Sequence, residues 1–136
     1  MIVVDSNVIA YLYIPGVKSA HAREALKRDP YWIAPRIWRS ELRNVAIRYV
    51  RVRQIKITQA YDVLDAAEAL MKGGEYEVES RTVLDLANNS GRSAYDCEFI
   101  ALARQFKIKL ITSDGPLADA FPSDTVDLGV FAGGAP

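Results

Sequence analysis

The chain has 136 residues, half of them hydrophobic, with seventeen lysines and arginines balanced by seventeen aspartates and glutamates. That length suits one domain. The apolar share excludes an intrinsically disordered chain, and zero net charge weighs against gripping nucleic acid by bulk electrostatics. Cys97 is the one cysteine, so no intrachain disulfide forms and nothing points to an oxidising compartment. No apolar run approaches the roughly 20 residues a membrane span needs. Asp5 interrupts the first apolar run too early for a secretory leader. The expectation is a soluble cytoplasmic protein with no membrane contact.

"IVV" at 2–4 is short, β-branched and bounded by Asp5, which predicts a buried strand. "NVIAYLYI" follows as a short helix, with Ser6 or Asn7 available as its cap and Pro15-Gly16 as its stop. A helix over 18–28 ends near Asp29-Pro30, and "YWIA" at 31–34 is a second strand. "PRIWRSELRNVAIRYVRVRQ" at 35–54 is the longest predicted helix, with Pro35 suited to its first turn. A helix over 58–74 closes on Gly73-Gly74, "YEVE" at 76–79 is a strand, and "SRTVLDLANNSG" is a helix stopped by Gly91. Residues 93–107 form a strongly periodic helix, "IKLIT" at 108–112 a strand, and "PLADAF" a short helix. "TVDLGVF" at 125–131 reads as a final edge strand. Residues 1–131 then form one domain and 132–136 a loose tail. Strands alternating with helices imply a parallel sheet with helices on both faces.

Charge is unevenly spread. Arg36, Arg39, Arg43, Arg48, Arg51, Arg53 and Lys56 fall within 36–56 against one acid, Glu41. This stretch is either a solvated helix face or a surface facing a polyanion.

In open α/β sheets, ligands bind beyond the carboxyl ends of the strands. Two strands end in acid there: "IVVD" at Asp5 and "LITSD" at Asp114. Either acid could simply cap a helix or shape a turn. Asp96 shares a helical stripe with Phe99, Ile100, Ala103 and Phe106, a core-facing position where acids are rare. Ser93 and Asp96 also have the spacing of a capping box. Glu41 lies at the edge of the apolar face made by Trp38, Leu42, Val45, Tyr49 and Val52, with Asn44 and Arg48 on its own side. Four acids in one pocket would need a counter-cation, because like charges at close range raise each other's pKa. An all-oxygen donor set favours Mg²⁺ or Mn²⁺. Such ions activate water and clamp phosphate oxygens. His21 reads as a surface residue and Cys97 as a small core residue, so zinc and thiol chemistry lack support.

These residues resemble the PIN domain, and within it the VapC-like toxins of toxin–antitoxin pairs. The resemblance runs through "VVDSNVI", "SELRNV", "AYDCEFIALA" and "LITSD", in that order and spacing. It implies a three-layer α/β sandwich with a central parallel sheet of four to five strands. It also implies an Mg²⁺- or Mn²⁺-dependent endoribonuclease that forms a homodimer and is held by a small VapB-type antitoxin. By the same resemblance Asp5, Glu41, Asp96 and Asp114 are the catalytic and metal-binding acids. Ser6, Asn7, Thr112 and Ser113 are the polar residues that would support them. Arg43, Arg48 and Arg92 are candidates for steering the RNA backbone.

Two other readings are open. A haloacid-dehalogenase-type phosphatase also begins with a strand ending in Asp, but it needs a second Asp where this chain has Asn7. A PIN-like module could instead use the acidic pocket for binding a partner or metal without catalysis.

Overall fold

Each of the first three apolar residues after Met1 disappears into the interior: Ile2, Val3 and Val4 are all buried, the signature of a strand covered on both faces. The computed structural model describes residues 1–133. The elements are β1 (Ile2–Val4), α1 (Ser6–Tyr13), α2 (Ser19–Arg28), β2 (Trp32–Pro35), α3 (Trp38–Arg51), α4 (Ile57–Leu70) and β3 (Glu75–Tyr76). They continue with α5 (Ser80–Ser90), α6 (Ala94–Phe106), β4 (Leu110–Thr112), α7 (Gly115–Ala120), β5 (Thr125–Asp127) and α8 (Leu128–Phe131).

The five strands lie in the order β3-β2-β1-β4-β5 and every pair is parallel. β1 is central, with Val3 opposite Ile33 on one side and Leu110 on the other. Helices flank the sheet: α1 packs with α2, α3 and α4, while α6 packs on α5 and crosses β1, β2 and β4. This is the predicted α/β architecture, at the upper of the two expected strand counts. Strand order reverses between β1 and β4, which makes their carboxyl ends the topological switch point, where open sheets of this kind bind ligands.

Several boundaries differ from expectation, each for a physical reason. Asp5, not Ser6 or Asn7, caps α1: its carboxylate accepts the Val8 N–H at 2.9 Å. Pro35 closes β2 opposite Tyr76, and the long helix starts three residues later, at Trp38. That helix stops at Arg51, because Arg53 adopts a left-handed conformation (φ 62°) and lets Gln54 N–H reach the Tyr49 carbonyl. A Schellman closure made by arginine carries no glycine signal. The expected final strand ends at Asp127, whose carboxylate accepts the Gly129 and Val130 N–H groups and starts α8. Of the expected tail, 134–136 lie outside the described residues. Gly74 is where β3 is brought in: a Cβ added there would stand 2.5 Å from the Trp32 carbonyl oxygen. No helix among the described residues is long and apolar enough to cross a membrane.

Candidate active site

Asp5 and Asp114 follow the ends of the two strands that flank the switch point. The other two acids reach the same place from helices. Glu41 lies in the first turn of α3 and Asp96 in the first turn of α6. Asp114 caps α7, its carboxylate accepting the Leu117 N–H at 3.1 Å. Thus every one of the four acids sits at a helix N-terminus, where the partial positive charge of the unpaired N–H groups favours a carboxylate.

All four line one cleft of about 170 Å³, together with Ser6, Asn7, Asn44, Arg48 and three apolar side chains, Val45, Phe99 and Leu117. Acids that span residues 5 to 114 therefore meet in one cavity. The cap readings of Asp5 and Asp114 are also correct, and the two roles coexist because a carboxylate has two oxygens.

The polar residues around them divide clearly. Thr112 is buried, donates its hydroxyl to Asp5 Oδ2 and accepts the Asp114 N–H at 3.0 Å. It ties the two strand-end acids together. Ser6 donates to Glu41 Oε1 at 2.7 Å. Asn7 is exposed at the cleft wall. Ser113 faces elsewhere, donating to the Tyr11 hydroxyl at 3.3 Å. Of the two hydroxyls expected beside the last acid, Thr112 is the one that touches the cleft acids.

Burial raises the Asp5 carboxyl from 3.8 to about 6; the charge of Asp114 adds to this, while the Thr112 and Val8 hydrogen bonds oppose it. Glu41 is also pushed up, first by burial, then by the charges of Asp96, Asp5 and Glu98, against the Ser6 hydrogen bond. The cleft thus holds negative charge at a cost that a cation would relieve. Glu98, which no sequence motif singles out, is a fifth acid whose charge acts on Glu41. Asn44, three residues beyond Glu41 on its own helical side, is a cleft residue absent from the expected site.

The arginines are sorted by their partners. Arg48 lines the cleft. Arg92 reaches Asp96 Oδ2 at 3.4 Å. Arg43 is exposed and is not among the cleft-lining residues, so it has no place beside the acids. Arg39 binds Glu75 at 2.6 Å and Glu68 at 3.7 Å, and Arg36 faces Glu77 at 3.8 Å. Two of the seven cations of the basic stretch are thereby paired with acids of other segments. His21 is exposed and Cys97 buried, as expected.

The donor chemistry of the cleft fits a hard divalent cation: carboxylate oxygens, uncompensated charge, and no histidine or cysteine in the lining. The spacing is looser. Among the described residues no three acids stand close enough to hold one ion as they are placed. Asp5 and Asp114 are fixed by backbone, so any tightening falls to Glu41 and Asp96, which are held by Ser6 and Arg92.

The PIN domain family matches residues 2–120. The chain belongs to the PIN domain family. This PIN domain is 27% identical over 125 residues to Ribonuclease VapC3 of Pyrobaculum aerophilum, covering 90% of this chain and 95% of the relative. Its fold is similar to the crystal structure of PAE2754 from Pyrobaculum aerophilum, with a TM-score of 0.76, 19% identity, and 96% and 92% of the two chains covered. It is also similar to a toxin–antitoxin complex from Klebsiella pneumoniae, with a TM-score of 0.70, 18% identity, and 94% and 98% covered.

Proposed function

We propose that this PIN domain is a Mg²⁺- or Mn²⁺-dependent endoribonuclease and the toxin of a VapBC-type pair. The observation that carries the reading is the convergence of Asp5, Glu41, Asp96 and Asp114 on one cleft at the switch point of the sheet. The similarity to a ribonuclease of the VapC class supports it.

In this reading Asp5 and Asp114 are the fixed ligands and Glu41 and Asp96 complete the set. When bound, the ion supplies an activated water and neutralises charge on the scissile phosphate. Thr112 keeps the two fixed carboxylates in register, and Ser6 orients Glu41. Asn7 and Asn44 offer hydrogen bonds at the wall of the cleft, and Arg48 offers a positive charge to the RNA backbone without reading sequence. The apolar walls from Val45, Phe99 and Leu117 lower the local dielectric and strengthen these interactions. The decisive experiment incubates the purified protein with a panel of structured RNAs in Mg²⁺, Mn²⁺ or EDTA. Cleavage that requires the ion and vanishes in Asp5→Asn supports the reading. Equal cleavage by wild type and Asp5→Asn points to a contaminating nuclease.

A binding module without catalysis is the second reading, favoured by the loose spacing of the acids. It predicts tight partner binding with no calorimetric signal for Mg²⁺ or Mn²⁺. The partner assignments belong to the first reading: a small antitoxin closing the acidic cleft, and a homodimer. Light scattering on the purified protein, alone and co-expressed with the product of a neighbouring short reading frame, tests both.

A further inference from the structure

We infer that Arg92 is a built-in competitor for the metal: its guanidinium holds Asp96 through Oδ2 and weakens that carboxylate as a ligand for a divalent ion in the cleft. The inference rests on the metal-dependent reading above and assigns a positioning residue to it. Among the described residues, Arg92 is the one basic side chain in an ion pair with any of the four cleft acids.

The form of the pair is that of a contact made to be given up. Arg104 and Asp124 show what a committed pair looks like in this molecule, with Nε on Oδ1 at 3.0 Å and Nη2 on Oδ2 at 2.9 Å. Arg92 instead touches Asp96 through Nη2 alone, at 3.4 Å. Its Nε is buried without a hydrogen-bond partner. The backbone around it is pinned, because Arg92 N–H donates to Ser90 Oγ at 3.1 Å and Gly91 before it adopts φ 73°. Among the described residues the Nη2 contact to Asp96 is the guanidinium's one hydrogen bond. Asp96 in turn is anchored at its own N–H by Ser93 Oγ at 3.0 Å, so its carboxylate can rotate between Arg92 and the cleft without unwinding α6. A guanidinium on Oδ2 draws on the negative charge of the whole carboxylate, so Asp96 offers a dication less even through Oδ1. Arg92 therefore raises the ion concentration at which the cleft loads.

The test is a Mn²⁺ titration of the RNA-free protein, reading the free-ion electron paramagnetic resonance signal. Arg92→Gln removes a unit charge next to a dication, and it should bind Mn²⁺ on the order of fivefold tighter than wild type. Arg92→Lys keeps the charge with a single donor group and should fall between the two. Arg48→Gln removes a charge that lines the same cleft but pairs with no acid among the described residues. It should tighten Mn²⁺ binding less than Arg92→Gln does. Unchanged or weaker binding by Arg92→Gln overturns the inference, as does equal tightening by Arg48→Gln, which would show only bulk cleft charge. Should Arg92→Gln fail to fold, Arg92→Lys decides alone, and binding no tighter than wild type overturns the inference. Loss of the inference with wild-type Mn²⁺ binding intact leaves the proposed function standing. Absence of Mn²⁺ binding in the wild type removes both.

Discussion

The two acids at the strand ends and the two on helices share one cleft but are held by different means. Asp5 and Asp114 are locked by backbone N–H groups and joined through Thr112, which stands on the strand beside β1. Glu41 and Asp96 are held only by side chains, Ser6 and Arg92. The sheet thus fixes where charge sits, and the helices supply charge that can be drawn in. A site of this kind is half preorganised: it has a rigid floor and an adjustable wall.

Removing a rigid acid should do the most. Asp5→Asn is expected to lower RNA cleavage on the order of a thousandfold. The same variant should be more stable than wild type at neutral pH in EDTA, because it deletes a buried charge and keeps a side-chain oxygen for the Val8 cap. A variant that is both inactive and less stable would break the assignment of strain to Asp5.

The pH dependence follows from that strain. The folded protein binds the Asp5 proton more tightly than the unfolded chain does, since its carboxyl lies at about 6 against 3.8. Unfolding therefore releases a proton between those values, and stability falls as pH rises through them. The Asp5 contribution to this loss is about 3 kcal/mol. Denaturant melts of wild type and Asp5→Asn should converge below about pH 4 and separate above about pH 6; parallel curves would count against a buried, protonatable Asp5.

Thr112→Val tests the tie between the rigid acids. It strips Asp5 of its hydroxyl donor and leaves the Asp114 N–H without its acceptor. The expected cost is about 1–3 kcal/mol in stability and about 10–100-fold in ion affinity, read by calorimetry. Ser6→Ala, on the adjustable wall, should do least. Glu41 loses the hydrogen bond that opposes its raised pKa, so the pH profile of cleavage should move alkaline, with a loss of roughly tenfold or less at its optimum. A Ser6→Ala defect larger than that of Thr112→Val would invert the comparison.

The rigid half was the more legible in sequence. An apolar β-branched run that ends in acid announces a strand and what stands at its mouth, and both Asp5 and Asp114 were visible that way. Asp96 showed through the periodicity of Phe99, Ile100, Ala103 and Phe106, of which only the last is not fully buried. The helical pattern puts Glu41 at the edge of an apolar face, yet its place in the first turn of α3 depends on a start at Trp38 that Pro35 conceals. The choice between Thr112 and Ser113 had no local signal, because adjacent residues on a strand point to opposite faces and only the packing tells which is inward. The engagement of Arg36 and Arg39 with Glu77, Glu68 and Glu75 was equally hidden. Ion pairs between distant segments leave no mark on either one.

The neighbour that completes β1 arrives late. Thr112 lies 107 residues beyond the Asp5 carboxylate to which it donates, and both strands of the β2–β3 side are synthesised before β4 exists. A nascent chain emerging from the ribosome therefore carries an open strand edge and an unfinished acidic mouth until residue 114 is out. Premature release before that point yields a polypeptide with no competent cleft and with an exposed β1 edge prone to mispairing. The order of strands along the chain thus delays completion of the cleft until β4 and the residues just beyond it have been made.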